Sequence, residues 1–188
     1  EHVRSFAAYL GVLEAVRAWR IRSGPMKGFS SVGVAFSSPR VWRNLYRLGM
    51  RPRKSIEGFL WPTDLSPELT RSLCRGYFDG DGCLCRPGEL GRPQANVVGA
   101  ESFIRWFLLQ YRKATGTELG SIYHKPAARI FILPLIGWRS VQALIRWLYT
   151  DALVALERKR LLAEEILAMS HPHRSCRRQL MSRPTPDK

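Results

Sequence analysis

Apolar residues along this chain recur at two periods, and the switches between them sketch its elements. Phe6, Tyr9, Leu10, Leu13 and Val16 fall at helical spacing, which predicts an amphipathic helix over residues 5–20. The run RSGPMKGFSS then reads as a flexible loop and VGVAF (32–36) as a short strand. Ser38-Pro39 opens a helix through PRVWRNLYRLG, closed by Gly49. Ser66, Pro67 and Glu68 make another helix start: a hydroxyl cap, proline at the first helical position and an acid in the first turn. Beyond Gly82, CLCRP and QANVV read as strands around PGELGR, and residues 102–115 as a helix ended by Gly116. SIYHK and RIFILPL read as a second strand pair, followed by helices over 140–149 and 151–169. The class expected is α+β, with the order αββαββαα from residue 66.

The helix starting at Ser66 carries the chemistry. Leu69, Leu73, Gly76 and Gly80 recur at spacings of four, three and four, so they share one face. Glycines on an apolar face let another helix approach closely, although each costs about 1 kcal/mol of helix propensity. Asp79 and Asp81 fall at the C-terminal end, where the helix dipole is already negative and carboxylates are unwelcome. Ordinary turn composition also explains D-G-D-G. Together with the glycine face and the strand that follows, the two acids suggest an oxygen-rich site for a hard divalent cation.

Charge points to a polyanionic partner. Thirty Lys/Arg against fifteen Asp/Glu leave a net charge of +15 over 188 residues. The surplus is uneven: residues 1–55 carry eleven Lys/Arg against Glu1 and Glu14, whereas the middle is nearly balanced. The four cysteines, Cys74, Cys83, Cys85 and Cys176, form no CxxC pair and read as reduced thiols of an intracellular, cytoplasmic protein. A zinc site built from Cys83, Cys85, His171 and His173 is a further reading. No apolar run is long enough to cross a membrane, no secretory signal is visible, and a chain beginning at Glu1 reads as a fragment or processed form.

RGYFDGDGCL, residues 75–84, resembles the LAGLIDADG motif of the homing endonucleases. The resemblance implies one complete αββαββα repeat over 61–169, with a four-stranded antiparallel saddle sheet. Residues 1–60 become a degenerate first-repeat remnant with a basic linker, and 170–188 a basic, disordered tail. In that remnant Gly11 falls on Gly76 and Glu14 on Asp79, but Val16 stands where the motif has Asp81 and cannot ligate a metal. The family implies a site-specific, metal-dependent DNA endonuclease of a mobile element, carried by an intron or intein. Asp81 and the Gly80 carbonyl would hold magnesium, with Asp79 beside them chiefly as a structural acid. Lys159, in LERKR (156–160), matches the family's basic residue near the scissile phosphate. Expected DNA contacts are Arg86, Arg92, Gln94, Asn96, His124, Lys125 and Arg129 on the two hairpins, with Arg51, Arg53 and Lys54 on phosphates. Gly99 and Ala100 stand where relatives often carry a polar residue that positions water. Since one chain supplies one such acid, cutting both strands of double-stranded DNA implies a homodimer through the 69/73/76/80 face. Otherwise the 6–20 helix packs on that face within one chain. The alternative function is a catalytically decayed relative that binds DNA as a regulator.

Overall fold

The computed structural model describes residues 2–47, 49, 64–88, 91–128 and 130–169. The chain divides into two compact units, 1–51 and 52–188. The first holds α1 (His2–Tyr9), a single 3-10 turn (Leu13–Ala15), β1 (Val16–Arg20), β2 (Ser30–Val34) and α2 (Pro39–Arg47). The single helix expected over 5–20 is therefore corrected. α1 stops at Tyr9, and Gly11 adopts φ +68°, a left-handed conformation that does not continue a helix. Val16–Arg20 instead pairs antiparallel with Ser30–Val34, Val16 opposite Val34 and Arg20 opposite Ser30. Valine and tryptophan suit a pleated surface, and Trp19 lies so close over Gly33 that a Cβ there would come within 2.6 Å of the indole. β2 occupies 30–34 rather than 32–36 because it pairs with this unexpected neighbour. The resulting α-β-β-α order repeats the first half of the second unit.

The second unit runs α3 (Pro67–Asp81), β3 (Gly82–Cys85), β4 (Gln94–Gly99), α4 (Glu101–Thr115), β5 (Tyr123–Lys125), β6 (Ile130–Ile136), α5 (Trp138–Tyr149) and α6 (Glu157–Ala168). Its four strands form one antiparallel sheet in the order β3-β4-β6-β5. The mixed class and the αββαββα order are present as the pattern predicts, and the four-stranded antiparallel sheet as the resemblance implies. The Ser66 hydroxyl accepts a hydrogen bond from the Leu69 amide at 3.3 Å, and Gly116 ends α4 at φ +64°.

Strand alternation sorts the sheet into two faces. Leu84, Ala95, Val97, Leu133 and Leu135 are buried on the helix side, in one core with Phe103, Phe107 and Tyr111 of α4 and Leu144, Ile145 and Leu148 of α5. Each large side chain fully buried there is worth about 1.5–3 kcal/mol. The opposite pleat carries Cys83 and Cys85 on β3, Gln94, Asn96 and Val98 on β4, Tyr123 and Lys125 on β5, and Ile130, Ile132, Pro134 and Ile136 on β6. Those residues are exposed or half-buried.

Residues 151–156, expected to begin the last helix, form a loop with Asp151 at φ +55°. Side chains of α3 hold that loop: Arg75 Nε donates to the Val154 carbonyl at 2.8 Å, and the Leu156 amide donates to Asp79 at 2.8 Å. Among the described residues no helix is long and apolar enough to cross a membrane. The basic linker around 51–60 and the tail 170–188 lie outside the described residues.

The join between α3 and β3 is tight. A Cβ at Gly82 would come within 2.3 Å of the Phe78 ring and 2.6 Å of its carbonyl oxygen. Gly82→Ala is expected to destabilise the protein by about 1–3 kcal/mol through this overlap. Urea unfolding followed by tryptophan fluorescence reads the change, and a wild-type midpoint would contradict the packing described.

Candidate metal and DNA site at the end of the motif helix

A helix leaves its last carbonyls without intrahelical donors, and carboxylates at that end add charge of the same sign. α3 ends in Asp79, Gly80 and Asp81, and two buried side chains stabilise this ending. Lys159 enters from the first turn of α6, only 3% exposed. Its ammonium donates to the carbonyls of Phe78, Asp79 (3.1 Å) and Gly82, and lies 4.8 Å from the centre of the Phe78 ring. Burial holds this ammonium below the usual lysine range, with the Asp79 carboxylate opposing that shift. Asp79 turns inward and is 7% exposed. Its Oδ1 accepts from the Tyr149 hydroxyl at 2.6 Å and its Oδ2 from the Leu156 amide at 2.8 Å. Burial and the nearby Asp79 charge push the Tyr149 hydroxyl well above the usual tyrosine range.

Asp81 points the other way and is exposed. Among the described residues nothing donates a hydrogen bond to its carboxylate. Lys159 takes the carbonyls of residues 78, 79 and 82 and leaves that of Gly80 unclaimed. Among the described residues, the Asp81 carboxylate and the Gly80 carbonyl are oxygens at this end that Lys159 does not engage. Tyr77, one turn earlier, donates to the Val98 carbonyl at 2.9 Å, and its hydroxyl is pushed up to about 12 by burial and then by the Asp81 charge.

Alongside this end runs a strip of α3 that the described residues of the second unit leave uncovered. Leu69, Gly76 and Gly80 are exposed and Leu73 is half-buried. A Cβ added at Gly76 or Gly80 would meet nothing within 4 Å. Among the described residues no group of three His, Cys, Asp or Glu side chains gathers around one point.

The architecture is similar to that of solved homing endonucleases. I-CvuI, solved in complex with the I-CreI target DNA, is 22% identical over 54% of this chain and 65% of its own, with a TM-score of 0.38. I-CeuI, a group I intron-encoded homing endonuclease complexed with DNA, is 18% identical over 57% of this chain and 56% of its own, with a TM-score of 0.43. I-TnaI, another homing endonuclease, is 18% identical over 56% of this chain and 71% of its own, with a TM-score of 0.37. The chain thus spans less than two thirds of the I-CvuI and I-CeuI chains it matches. No protein-family model matches it, and no curated protein does.

Several expected site residues stand elsewhere than the pattern implied. Lys159, expected as a cation near the scissile phosphate, is placed as a buried donor to three backbone carbonyls at the end of α3. Asp79, expected chiefly as a structural acid beside the metal site, is a buried acceptor with both oxygens in use. Among the hairpin candidates, Gln94, Asn96 and Lys125 share the open face of the sheet. Arg92 is exposed and continues that alternation past buried Pro93. His124 is on the other pleat, stacked 4.4 Å from Phe131. Arg86 turns toward α6 in a two-pronged ion pair with Glu165, at 2.8 and 2.7 Å. The basic saddle expected of the sheet is tempered, since β6 contributes Ile130, Ile132, Pro134 and Ile136 to the same face. Arg51, Arg53, Lys54 and Arg129 lie outside the described residues.

The pattern also missed residues that build the site. Arg75 is 8% exposed and donates to the Leu148 carbonyl at 3.0 Å as well as to Val154, tying α3 to the end of α5. Its position four residues before Asp79, on the same inward face, was the available signal. Arg158, beside buried Lys159 in the first turn of α6, is exposed.

Lys159→Met removes a donor from three buried carbonyls and is expected to cost at least about 2 kcal/mol of stability. Arg158→Met, at an exposed position, is expected to stay within about 0.5 kcal/mol of the parent. Paired urea titrations measure both, and equal midpoints for the two variants would contradict the clamp.

Proposed function

We propose that this chain is a DNA-binding protein of the LAGLIDADG homing-endonuclease type, acting as a divalent-metal-dependent phosphodiesterase through Asp81. One observation carries the reading: α3 ends in an exposed carboxylate beside a carbonyl that Lys159 does not engage and a glycine face that the described residues of the second unit leave uncovered. Those oxygen donors fit a hard cation such as magnesium, which retains several waters and completes its shell with phosphate oxygens. When bound, the ion would activate water and stabilise the leaving oxygen of a phosphodiester. The chain's own residues hold and orient. Lys159, Asp79 and Arg75 fix the end of α3, Asp81 and Gly80 present oxygens, and Arg158 is the exposed cation available to a phosphate. Gln94, Asn96, Arg92 and Lys125 offer amide and cationic groups to base edges and phosphates.

One carboxylate addresses one strand, so cleavage of both strands calls for a second motif helix on the open face of α3. A second copy of the chain is the occupant we favour, since the face presents glycines to any helix of matching shape. DNA binding without cleavage is the second reading. It is favoured by Val16, which aligns with Asp81 in sequence but opens strand β1, by Ala100 and by the isoleucines on β6.

Asp81→Asn is expected to abolish magnesium-dependent cleavage of DNA carrying the flanking locus, while affinity for that DNA stays within about twofold because no phosphate contact is lost. Cleavage assays with magnesium and with EDTA, paired with binding titrations, test this. Cutting by the Asn variant at the parent's rate would remove the site assignment, and salt-independent binding would remove the DNA reading.

A further inference from the structure

The open face of the sheet carries a second group of possible ligands, chemically unlike the oxygens of Asp81. Cys83 and Cys85 alternate onto the same side of β3, both exposed, with sulfurs 3.4 Å apart. β3 is an edge strand, paired only with β4, and the thiols stand opposite Asn96 and Gln94. Cys74 is buried in the core and takes no part.

Two outcomes are open to such a pair, a disulfide and a shared metal ion. A disulfide needs sulfurs about 2.05 Å apart and Cβ atoms about 3.5–4.5 Å apart. Residues two apart on one strand have Cα atoms about 6.7 Å apart, at the upper end of the roughly 4.4–6.8 Å that a disulfide spans. A tetrahedral zinc-group ion holds each thiolate at about 2.3 Å and so separates two sulfurs by about 3.8 Å, close to the observed spacing. Chelation therefore requires only a small side-chain adjustment.

We propose that Cys83 and Cys85 form a chelating dithiolate site for a soft divalent cation of the zinc group, separate from the oxygen donors at the end of α3. Thiolate ligands select such ions against magnesium, so the two sites discriminate by ligand softness. With no third ligand among the described residues, water or a group from a partner fills the remaining positions. An ion held here stands on the face that Gln94 and Asn96 share.

The test is cadmium titration of the full chain carrying Cys176→Ser, read by the ultraviolet sulfur-to-cadmium charge-transfer band. The band is expected to saturate at one equivalent, and zinc is expected to displace the cadmium. Cys83→Ser and Cys85→Ser are each expected to weaken binding about tenfold or more through loss of the chelate, with unchanged thermal melts. The double variant, which retains Cys74, is expected to show no band. Parent-like affinity in either single variant, or a band that survives in the double variant, would overturn the site.

Discussion

The end of α3 is where backbone electrostatics and function meet. Helix carbonyls concentrate negative potential at a C-terminus, and Asp79 and Asp81 add to it rather than relieving it. Lys159 offsets this by bringing a buried ammonium onto three of those carbonyls, 77 to 81 residues away in sequence. Because the ammonium is desolvated, its attraction to the helix end is felt at low dielectric, but the same burial makes it costly unless every proton is used. Asp79 completes the arrangement from the other side, binding the Tyr149 hydroxyl and the loop before α6. With those two side chains turned inward, Asp81 remains at the surface.

The glycine face obeys a different constraint. Glycine in a helix interior is unfavourable unless close approach repays it, and neither Gly76 nor Gly80 has any neighbour where its side chain would be. Both costs persist in the isolated second unit without return.

The sheet divides labour across its width. β4 carries amide side chains, Gln94 and Asn96, able to exchange hydrogen bonds with base edges. β6 beside it carries three isoleucines and a proline, which can offer only apolar contact. Lys125 and Arg92 bring charge to this pleat, whereas Arg86 is tied to Glu165 and His124 lies on the reverse side. Much of the basic surplus sits instead in the first unit, where Arg17, Arg20, Arg40, Arg43 and Arg47 face a single described acid, Glu14.

By itself the sequence determined the second unit's element order, the cap at Ser66, the alternation of β4 and β6, and the acid-bearing end of α3. All of these depend on local spacing and turn chemistry, which short windows contain. It misjudged residues 5–20 and 151–156, where helical spacing was real but a partner won: β2 drew Val16–Arg20 into a ladder, and Asp79 with Arg75 captured the later loop. The directions of Asp79, Lys159, Arg86 and His124 were likewise decided only in the folded chain. A charged side chain reads the same whether it meets water, a carboxylate or a buried helix end, and its partners here come from elements tens of residues distant.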